Sequence, residues 1–446
     1  MEKLFFDRIQ SYIPNEFDAF LASFDRPLLR GLRVNTRKIK LSDFTEKFPY
    51  LKAPSLFCPQ AFYVEQPLGN HPFHIAGLYY LQEPSASSAV EILNVQPNDI
   101  VLDLCAAPGG KSSQIASKLG NDGFLVSNEI DSKRANILLS NLERMGMMNM
   151  LVTNNNSKEI CKQFKSCFTK ILVDAPCSGE GMLKKHESAY DNWSYENILF
   201  CQKRQLEILS DAYETLQEDG ILVYSTCTYA KEENEDVVAQ FLMEHEDMEL
   251  LDVSVSFGRK GLSNSQIDAN KVCRIFPMDH GEGHFVAKMH KISGEKKNML
   301  PMKPTLIPNF VRDFVEEQLN EEPTYFYKEN DYIYCMNHPF IKTGKLKVLR
   351  QGIQVGQIKK NRIEPCHAFY MCANWIDVWK HKLNLDLDHL DDYLHGQELA
   401  ISNPKGYLAI CYEGYPVGFG KSDGMHIKNK LPKGLRFLPN SHVMGK

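Results

Sequence analysis

The stretch "DIVLDLCAAPGGKSSQIASKL" (99–119) joins a short apolar run to a helical pattern through a turn with one proline and two glycines. An apolar run of four to six residues, a turn and a longer periodic segment together predict a strand followed by a helix. The pattern recurs in "GFLVSNEID" (123–131), "MNMLVTNNN" (148–156), "KILVDAP" (170–176) and "GILVYST" (220–226). Strands that alternate with helices predict an α/β fold with a doubly wound, Rossmann-like sheet.

A chain of 446 residues is too long for a single core, so we expect further domains on both sides of this sheet. The segment "RIFPMDHGEGHFVAKMH" (274–290) predicts two more strands at one edge. The N-terminal segment has an amphipathic start and predicts a small α+β appendage. A Lys- and Pro-rich linker at 293–304 precedes two β-rich modules. The expected domain bounds are 1–75, 76–292, 293–378 and 379–446.

Composition limits the class of protein. No run approaches the roughly 18 apolar residues of a membrane helix, and acids interrupt the apolar positions of the N-terminus, unlike a secretion signal. We therefore expect a cytoplasmic protein without a membrane partner. Twelve cysteines occur without any CxxC pair, and the histidine spacing offers no ligand set, so we expect free thiols and no metal.

Charge is unevenly distributed along the chain, although the net charge is only −5. Residues 341–363 include seven Lys or Arg and no acid, and residues 421–446 include six basic residues and one acid, Asp423. This asymmetry indicates a polyanion-binding surface in the last third of the chain. A solvated charged face is the alternative for either stretch.

The turn after the first predicted strand could hold a cofactor. Pro108, Gly109 and Gly110 allow a ligand to approach the backbone, and the following helix offers free N–H groups. Glu129 ends the next strand, where a carboxylate can accept both hydroxyls of a ribose. Neither GxGxxG nor GxxxxGK[ST] is present, so S-adenosyl-L-methionine fits better than a dinucleotide or a nucleoside triphosphate. A plain turn with a surface glutamate is the alternative.

Two cysteines follow predicted strands. Asp174 and Cys177 follow "KILV", and Cys227 follows "GILVYST". Because ligands bind beyond the carboxyl ends of such strands, both thiols should face the crevice of the cofactor loop. A thiolate beside a methyl donor can attack carbon 6 of a pyrimidine and make carbon 5 nucleophilic, with Asp174 near ring nitrogen 3. Each cysteine alone could equally be a small buried hydrophobe, and spacing leaves the two thiols interchangeable.

Several motifs together resemble the Sun-family RNA cytosine-5 methyltransferases, and the RsmF-type bacterial ribosomal RNA enzymes are the most similar. The three central motifs are "DLCAAPGGK" (103–111), "DAPCSGEGM" (174–182) and "STCTYAKEENEDVV" (225–238). Matching segments elsewhere are "LRVNT" (32–36), "YYLQEPSASSA" (79–89), "HGEGHFVA" (280–287) and a PUA-like ending, "KNKLPKGLR" (428–436). We interpret "KEENEDVV" (231–238) as the acidic first turns of a helix.

The resemblance implies roles for individual residues. Cys227 would be the nucleophile, Cys177 would help to release the product, and Asp174 would contact both cofactor and cytosine. Where related enzymes often have an Asp for the adenine amino group, this chain has "VTNNNS" (152–157), and Asn155 or, preferably, Asn156 could accept that hydrogen bond more weakly. The residues expected to line the cofactor are Cys105, Ala106, Ala107, Pro108, Gly109, Gly110, Lys111, Glu129, Arg134, Asn156 and Asp174.

The resemblance also implies a partner. Ribosomal RNA, as small-subunit RNA or within an assembling subunit, would be the substrate of a monomeric enzyme, and the N-terminal appendage and the PUA-like module would bind RNA. Three alternatives remain open. They are a transfer RNA cytosine-5 methyltransferase, a DNA cytosine methyltransferase that attacks with the Pro-Cys thiol, and a non-catalytic RNA-binding ribosome-assembly factor.

Overall fold

The structure is a computed structural model that describes residues 2–185 and 193–444. Its N-terminal unit pairs three antiparallel strands in the order β2-β1-β3. The elements are α1 (Glu2–Tyr12), α2 (Phe17–Phe24), β1 (Arg30–Val34), α3 (Leu41–Lys47), β2 (Ala61–Val64), α4 (Pro72–Ile75) and β3 (Tyr79–Leu81). The predicted α+β appendage is confirmed. Because β3 lies beyond residue 75, we propose that this unit ends after Leu81.

The central unit contains the doubly wound sheet. Its elements are α5 (Ser88–Leu93), β4 (Ile100–Asp103), α6 (Gly110–Lys118), β5 (Phe124–Asn128), α7 (Ser132–Met145), β6 (Met150–Thr153), α8 (Ser157–Gln163), β7 (Phe168–Asp174), α9 (Tyr195–Thr215), β8 (Leu216–Thr226), α10 (Glu235–Glu244), β9 (Met248–Leu251), β10 (Arg259–Lys260), β11 (Cys273–Ile275) and β12 (His284–Lys291). Every residue of β5 and β6 is buried, as parallel strands covered on both faces require.

The parallel strands of this sheet run in the order β6-β5-β4-β7-β8. Strand β12 then pairs antiparallel with β8, and β9 and β11 both pair with β12. The doubly wound sheet and the two strands predicted within 274–290 are therefore confirmed.

Two four-stranded sheets form the C-terminal part, in the orders β13-β14-β16-β17 and β18-β19-β20-β21. The elements are α11 (Asn309–Gln318), β13 (Tyr325–Glu329), β14 (Tyr332–Met336), β15 (Val348–Gln351), β16 (Ile353–Lys359), β17 (Arg362–Pro365), α12 (His367–Met371), β18 (Lys382–Asn384), α13 (Leu387–Leu394), β19 (Gly406–Tyr412), β20 (Tyr415–Ser422) and β21 (Ile427–Asn429). The predicted β-rich modules are present, and the boundary between them near residue 378 stays a proposal.

The C-terminal part is continuous with the other units. Strand β15 pairs antiparallel with β6 and extends the central sheet by one strand, which the sequence did not predict. The last module and the N-terminal unit share one hydrophobic core, in which the ring of Phe73 lies 6.1 Å from the rings of both Tyr412 and Tyr415. Among the described helices, none combines the length and the apolar character needed to span a membrane.

Substitution of Gly146 tests the close packing of the central unit against the C-terminal part. It follows α7 with a φ of +77°, and a Cβ there would lie 2.3 Å from the carbonyl oxygen of Met371. We expect Gly146→Ala to lower the free energy of unfolding by roughly 2 kcal/mol or more, because backbone strain and a backbone clash add together. Gly414→Ala is the control, since Gly414 has a φ of +88° but nothing within 4 Å of the added Cβ. Thermal unfolding of the two variants should differ, and equal shifts would contradict the packing.

Candidate active site

The strand order places a crevice at the carboxyl ends of β4 and β7. The chain continues from β4 to β5 on one side, whereas β7 and β8 lie on the other side. Ligands of open α/β sheets bind at such a reversal of strand order. The predicted cofactor loop, Asp174 and the two cysteines follow β4, β7 and β8, three neighbouring strands, and Glu129 follows β5 beside them, so the fold brings these residues to one edge of the sheet.

The loop after β4 is built from small residues because it passes close to the N-terminal unit. Gly109 has a φ of +109°, which glycine adopts without steric cost. A Cβ on Gly110 would lie 3.0 Å from Oε1 of Gln82 and 3.1 Å from the ring of Tyr80. Gly110 also begins α6, and the first N–H groups of a helix have no partner within it. The loop therefore supplies backbone donors to the crevice.

Glu129 and Arg134 lie against this loop. Glu129 is buried after β5, and its Oε1 accepts a hydrogen bond of 2.9 Å from the backbone N–H of Asp131. The Arg134 guanidinium lies 3.6 Å from Oε2 of Glu129 and donates to the carbonyl oxygen of Ala107 at 2.9 Å. Arg134 thus connects the predicted ribose acceptor to the loop. The other loop residues predicted to line the cofactor are Cys105, which is half-buried, with Ala106 and Ala107, which are buried, and Pro108.

An ion pair lies at the ends of β4, β7 and β8. The Lys111 ammonium donates to Oδ2 of Asp174 at 2.7 Å, and the Ser225 hydroxyl donates to Oδ1 at 2.7 Å. Burial would raise the pKa of Asp174, but the charge and hydrogen bond of Lys111 outweigh burial and hold this pKa below its usual value. Asp174 is therefore ionised and acts as an acceptor of hydrogen bonds.

The two predicted cysteines meet beside this ion pair. The Sγ atoms of Cys177 and Cys227 are 3.3 Å apart, and both residues are half-buried. A hydrogen bond from the Cys177 thiol outweighs burial and lowers the pKa of Cys227 to about 7, and the charges of His284 and Lys111 act in the same direction. The same hydrogen bond, together with burial, raises the pKa of Cys177 well above its usual value. Of the two thiols, Cys227 is therefore the one that loses its proton more readily.

Buried polar side chains hold the loop after β7, which carries Cys177, and the loop after β8, which carries Cys227. The Glu233 carboxylate accepts hydrogen bonds of 2.9 Å from the backbone N–H of Ser178 and from the Gln205 amide. Asn234 accepts from the Thr226 hydroxyl at 2.6 Å and donates to the carbonyl oxygen of Thr228 at 2.9 Å. Asn234 therefore holds the residues on both sides of Cys227.

A second buried carboxylate, Glu180, lies on the other side of the Cys227 loop. It accepts hydrogen bonds from the Trp193 indole at 2.7 Å, the Thr228 hydroxyl at 3.0 Å and the backbone N–H of Tyr229 at 3.1 Å. The next residue, Gly181, donates its N–H to the carbonyl oxygen of Cys227 at 2.9 Å. The loop that follows β7 and the loop that follows β8 are therefore joined on both sides of the thiols.

The sequence of this chain matches known proteins along most of its length. Four family models match consecutive parts of the chain: the N-terminal domain of 16S rRNA methyltransferase RsmF (1–84), 16S rRNA methyltransferase RsmB/F (90–290), the RsmF first C-terminal domain (309–372) and the RsmF PUA domain (380–437). A ribosomal RNA small subunit methyltransferase F from Psychromonas ingrahamii is 31% identical over 98% of this chain and 97% of its own length. The chain belongs to this family.

Other relatives agree with this membership. The family member from Aeromonas salmonicida is 32% identical over 94% of this chain and 93% of its own. Among solved structures, a methyltransferase homolog from Pyrococcus horikoshii has a TM-score of 0.58 and 31% identity over 65% of this chain and 95% of that chain. NSun6 from the same organism, solved with SFG, has a TM-score of 0.58 at 21% identity and shows the shared fold alone.

Family membership confirms the predicted resemblance to RsmF-type enzymes, and S-adenosylmethionine as the cofactor of this methyltransferase family. The PUA module predicted from "KNKLPKGLR" (428–436) is also confirmed. All twelve cysteines are free thiols, as predicted. The roles of the individual site residues stay proposals.

Asn155 and Asn156, the two candidates for adenine binding, are both engaged within the protein. Asn156 is exposed and caps α8, where its Oδ1 accepts from the backbone N–H of Glu159 at 3.0 Å. Asn155 is buried, and its Oδ1 accepts from the backbone N–H of Lys347, just before β15, at 3.0 Å. Each amide oxygen retains a second lone pair, so the assignment of Asn156 stays a prediction.

The sequence did not identify the buried carboxylates that hold the loops around the two cysteines. The segment "KEENEDVV" leads into the first turn of α10 as predicted, but Glu233 and Glu235 are both fully buried, which the sequence did not reveal. Glu235 forms a buried ion pair of 2.5 Å with Arg274, and Glu233 binds the Cys177 loop through Ser178. Buried carboxylates must be paired or hydrogen-bonded, but a run of acids in a sequence does not show which of its members are buried.

The contact between the thiols predicts how Cys227 titrates. We expect the rate of Cys227 alkylation by iodoacetamide to rise through about pH 7, because only the thiolate reacts. In Cys177→Ala the hydrogen bond is lost, so this midpoint should move up toward about 8.5, the value of a free thiol. Peptide mass spectrometry across pH measures the rates. Cys105 is the internal control, because burial raises its pKa and it should stay unreactive. An unchanged midpoint in Cys177→Ala would mean that the thiols do not interact.

Proposed function

We propose that this protein transfers a methyl group from S-adenosylmethionine to carbon 5 of cytosine in small-subunit ribosomal RNA through a covalent adduct with Cys227. The observation that supports this most directly is the pair of thiols, 3.3 Å apart and with opposite pKa shifts, beside the ion pair of Lys111 and Asp174. A methyltransferase needs such a nucleophile only where the accepting carbon is too electron-poor to react unaided.

The substrate is inferred from relatives and from charge. The relatives are named ribosomal RNA small subunit methyltransferase F, and the chain covers nearly their full length. The basic stretch at 341–363 and the PUA module offer surfaces for a polyanion. We further propose that the enzyme acts as a cytoplasmic monomer, with the N-terminal unit as an RNA-binding part.

The attack step uses the thiolate and the ion pair. Sγ of Cys227 bonds to carbon 6 of the cytosine, and the electron pair of the double bond between carbons 5 and 6 moves toward carbon 5 and ring nitrogen 3. The Lys111 ammonium supplies positive charge beside the ring, while the Asp174 carboxylate can accept a hydrogen bond from the 4-amino group. Asp174 carries no proton to donate, because Lys111 keeps the Asp174 pKa low.

The release step uses the second thiol. Once Cys227 is bonded to carbon, the hydrogen bond that raises the Cys177 pKa most is gone. The Cys177 thiol then loses its proton to solvent, and the resulting thiolate acts as the base. The proton on carbon 5 passes to Sγ of Cys177, the electron pair re-forms the double bond, and Cys227 leaves as a thiolate. Because the two Sγ atoms are only 3.3 Å apart, we propose that both lie at one face of the base.

The residues present fit the cofactor. Glu129 is a buried carboxylate suited to the ribose hydroxyls, and the N-terminus of α6 offers backbone donors to a carboxylate. Arg134 holds Glu129 near the loop of residues 105–111. The bound cofactor supplies a methyl group activated by a sulfonium. Lys111, which is also predicted to line the cofactor, directs its ammonium to Asp174, and we propose that it supplies charge beside the ring as well.

Other functions make different predictions. A DNA cytosine methyltransferase would attack with Cys177, but the pKa shifts favour Cys227. A non-catalytic assembly factor would have no need for a thiolate at neutral pH. A transfer RNA enzyme would share this chemistry, and only substrate comparison separates it from our proposal. Competition between ribosomal RNA, transfer RNA and DNA for methylation distinguishes these classes.

Bisulfite sequencing of small-subunit ribosomal RNA tests the proposed reaction. We expect a protected cytosine in cells with this chain, and none in cells that lack it or that produce Cys227→Ala. Cys227→Ala should still bind S-adenosylmethionine, because the thiol is not among the proposed cofactor contacts. Cys201→Ala is the control, since this buried cysteine lies on α9, and it should leave methylation intact. Substantial methylation by Cys227→Ala would remove it as the nucleophile.

Cys177→Ala tests the release step. We expect this variant to accumulate a covalent complex of protein and RNA, because attack by Cys227 proceeds while removal of the proton from carbon 5 is slowed. A denaturing gel with labelled RNA measures the complex. The double variant Cys177→Ala/Cys227→Ala should form none. If Cys177→Ala forms no complex while it still methylates RNA, the release role is wrong.

A further inference from the structure

The N-terminal unit contains a groove that the proposed reaction does not use. The groove encloses about 1070 Å³ between residues 26–30, residues 52–56 and the end of β2. Its walls include Leu28 and Leu56, which are 39% and 59% exposed. Tyr63 adds an aromatic ring, and its hydroxyl donates to the carbonyl oxygen of His280. The groove is therefore largely apolar and lies against the central unit.

Basic side chains surround this apolar floor. Arg26, Arg30 and Lys52 line the groove, and Glu65 is the one acid among its lining residues. Lys52 pairs with Glu65 at 3.2 Å. Within the described part of the chain, the guanidinium groups of Arg26 and Arg30 form neither an ion pair nor a side-chain hydrogen bond, and both residues are exposed. Two unpaired guanidinium groups therefore face a surface on which bases can stack.

Two neighbouring cavities share lining residues with the groove and reach residues near the Cys227 loop. A neighbouring cavity of about 300 Å³ shares Arg30 with the groove and extends to Glu83, whose Oε2 lies 3.3 Å from Nε2 of His284. A smaller cavity of about 60 Å³ shares Arg26 with the groove and is lined by Gly181, which hydrogen-bonds to the backbone of Cys227. The groove therefore lies close to the loop that carries Cys227.

We propose that this groove binds the single-stranded ribosomal RNA next to the target cytosine, with phosphates at Arg26 and Arg30 and bases on the apolar floor. The proposal rests on the proposed function, because the occupant is defined by the cytosine at Cys227. A base inside a stack cannot reach the thiolate, so the neighbouring nucleotides must be held in an unstacked strand. Charge complementarity and the position of the groove near the Cys227 loop favour RNA over a protein partner.

The double variant Arg26→Glu/Arg30→Glu tests the groove in the full-length protein. With a transcript of small-subunit ribosomal RNA, we expect KM for RNA to rise by roughly tenfold or more, because two phosphate contacts are replaced by repulsion. We expect kcat at saturating RNA and the dissociation constant of S-adenosylmethionine to stay unchanged. The slope of log Kd against log salt should fall by about 1.4, the value for two contacts to a single strand. Arg26→Lys/Arg30→Lys should largely retain binding.

Lys203→Glu/Lys260→Glu is the matched control. Both lysines are exposed, on α9 and β10, and neither lines the groove, so KM and the salt dependence should stay close to those of the unchanged protein. Photo-crosslinking with 4-thiouridine in the transcript should label peptides that contain residues 26–30 or 52–56.

Three outcomes would overturn the proposal. The first is an unchanged KM and salt slope in the Arg26→Glu/Arg30→Glu variant. The second is a loss of kcat alone, which would indicate a structural role. The third is that the Arg26→Glu/Arg30→Glu variant methylates the naked transcript normally but methylates the assembled subunit less, which would indicate a protein in the groove. Bisulfite sequencing of the product separates this test from the proposed function, because cytosine-5 methylation would persist if only the groove proposal were wrong.

Discussion

The site depends on the parallel pairing of β7 with β8. In this register Asp174 lies opposite Ser225, so the chain leaves both strands at the same level, and Cys177 and Cys227 follow within three residues. A slip of one residue would turn the side chains of one strand to the other face of the sheet and would separate Asp174 from the Ser225 hydroxyl. The 3.3 Å contact between the thiols, and with it the division of roles that we propose for them, follows from this register.

Strand register alone does not hold two loops so close together. Glu233, Asn234 and Glu180 are buried and use their polar atoms on the loops around the cysteines. Removing one partner of a buried hydrogen bond leaves a desolvated group, which costs about 1–3 kcal/mol, so these contacts resist rearrangement. The two thiols are thereby held in one unequal arrangement, in which Cys227 loses its proton near neutral pH and Cys177 retains its own.

The sequence predicted the central sheet because its strands are continuous apolar runs bounded by turn residues, and the crevice because strand ends of a parallel sheet share an edge. It did not predict β15, whose residues "VLRQ" (348–351) are half polar and acquire a partner only when β6 is exposed as an edge. Nor did it reveal the buried Glu233, because an acid on a helix surface and an acid inside a core look alike before the fold is known. The assignment of roles to the two cysteines came from family resemblance, and the opposite directions of their pKa shifts favour the same assignment.

The most direct measurement of the central claim is to map the cysteine that captures 5-fluorocytidine-substituted ribosomal RNA in the presence of S-adenosylmethionine. Fluorine at carbon 5 cannot leave as a proton does, so the adduct accumulates in the unchanged protein. Peptide mass spectrometry after nuclease digestion should find the modified nucleotide on the peptide that contains Cys227. An adduct on Cys177, or methylation of normal RNA without any adduct on the substituted RNA, would contradict the account.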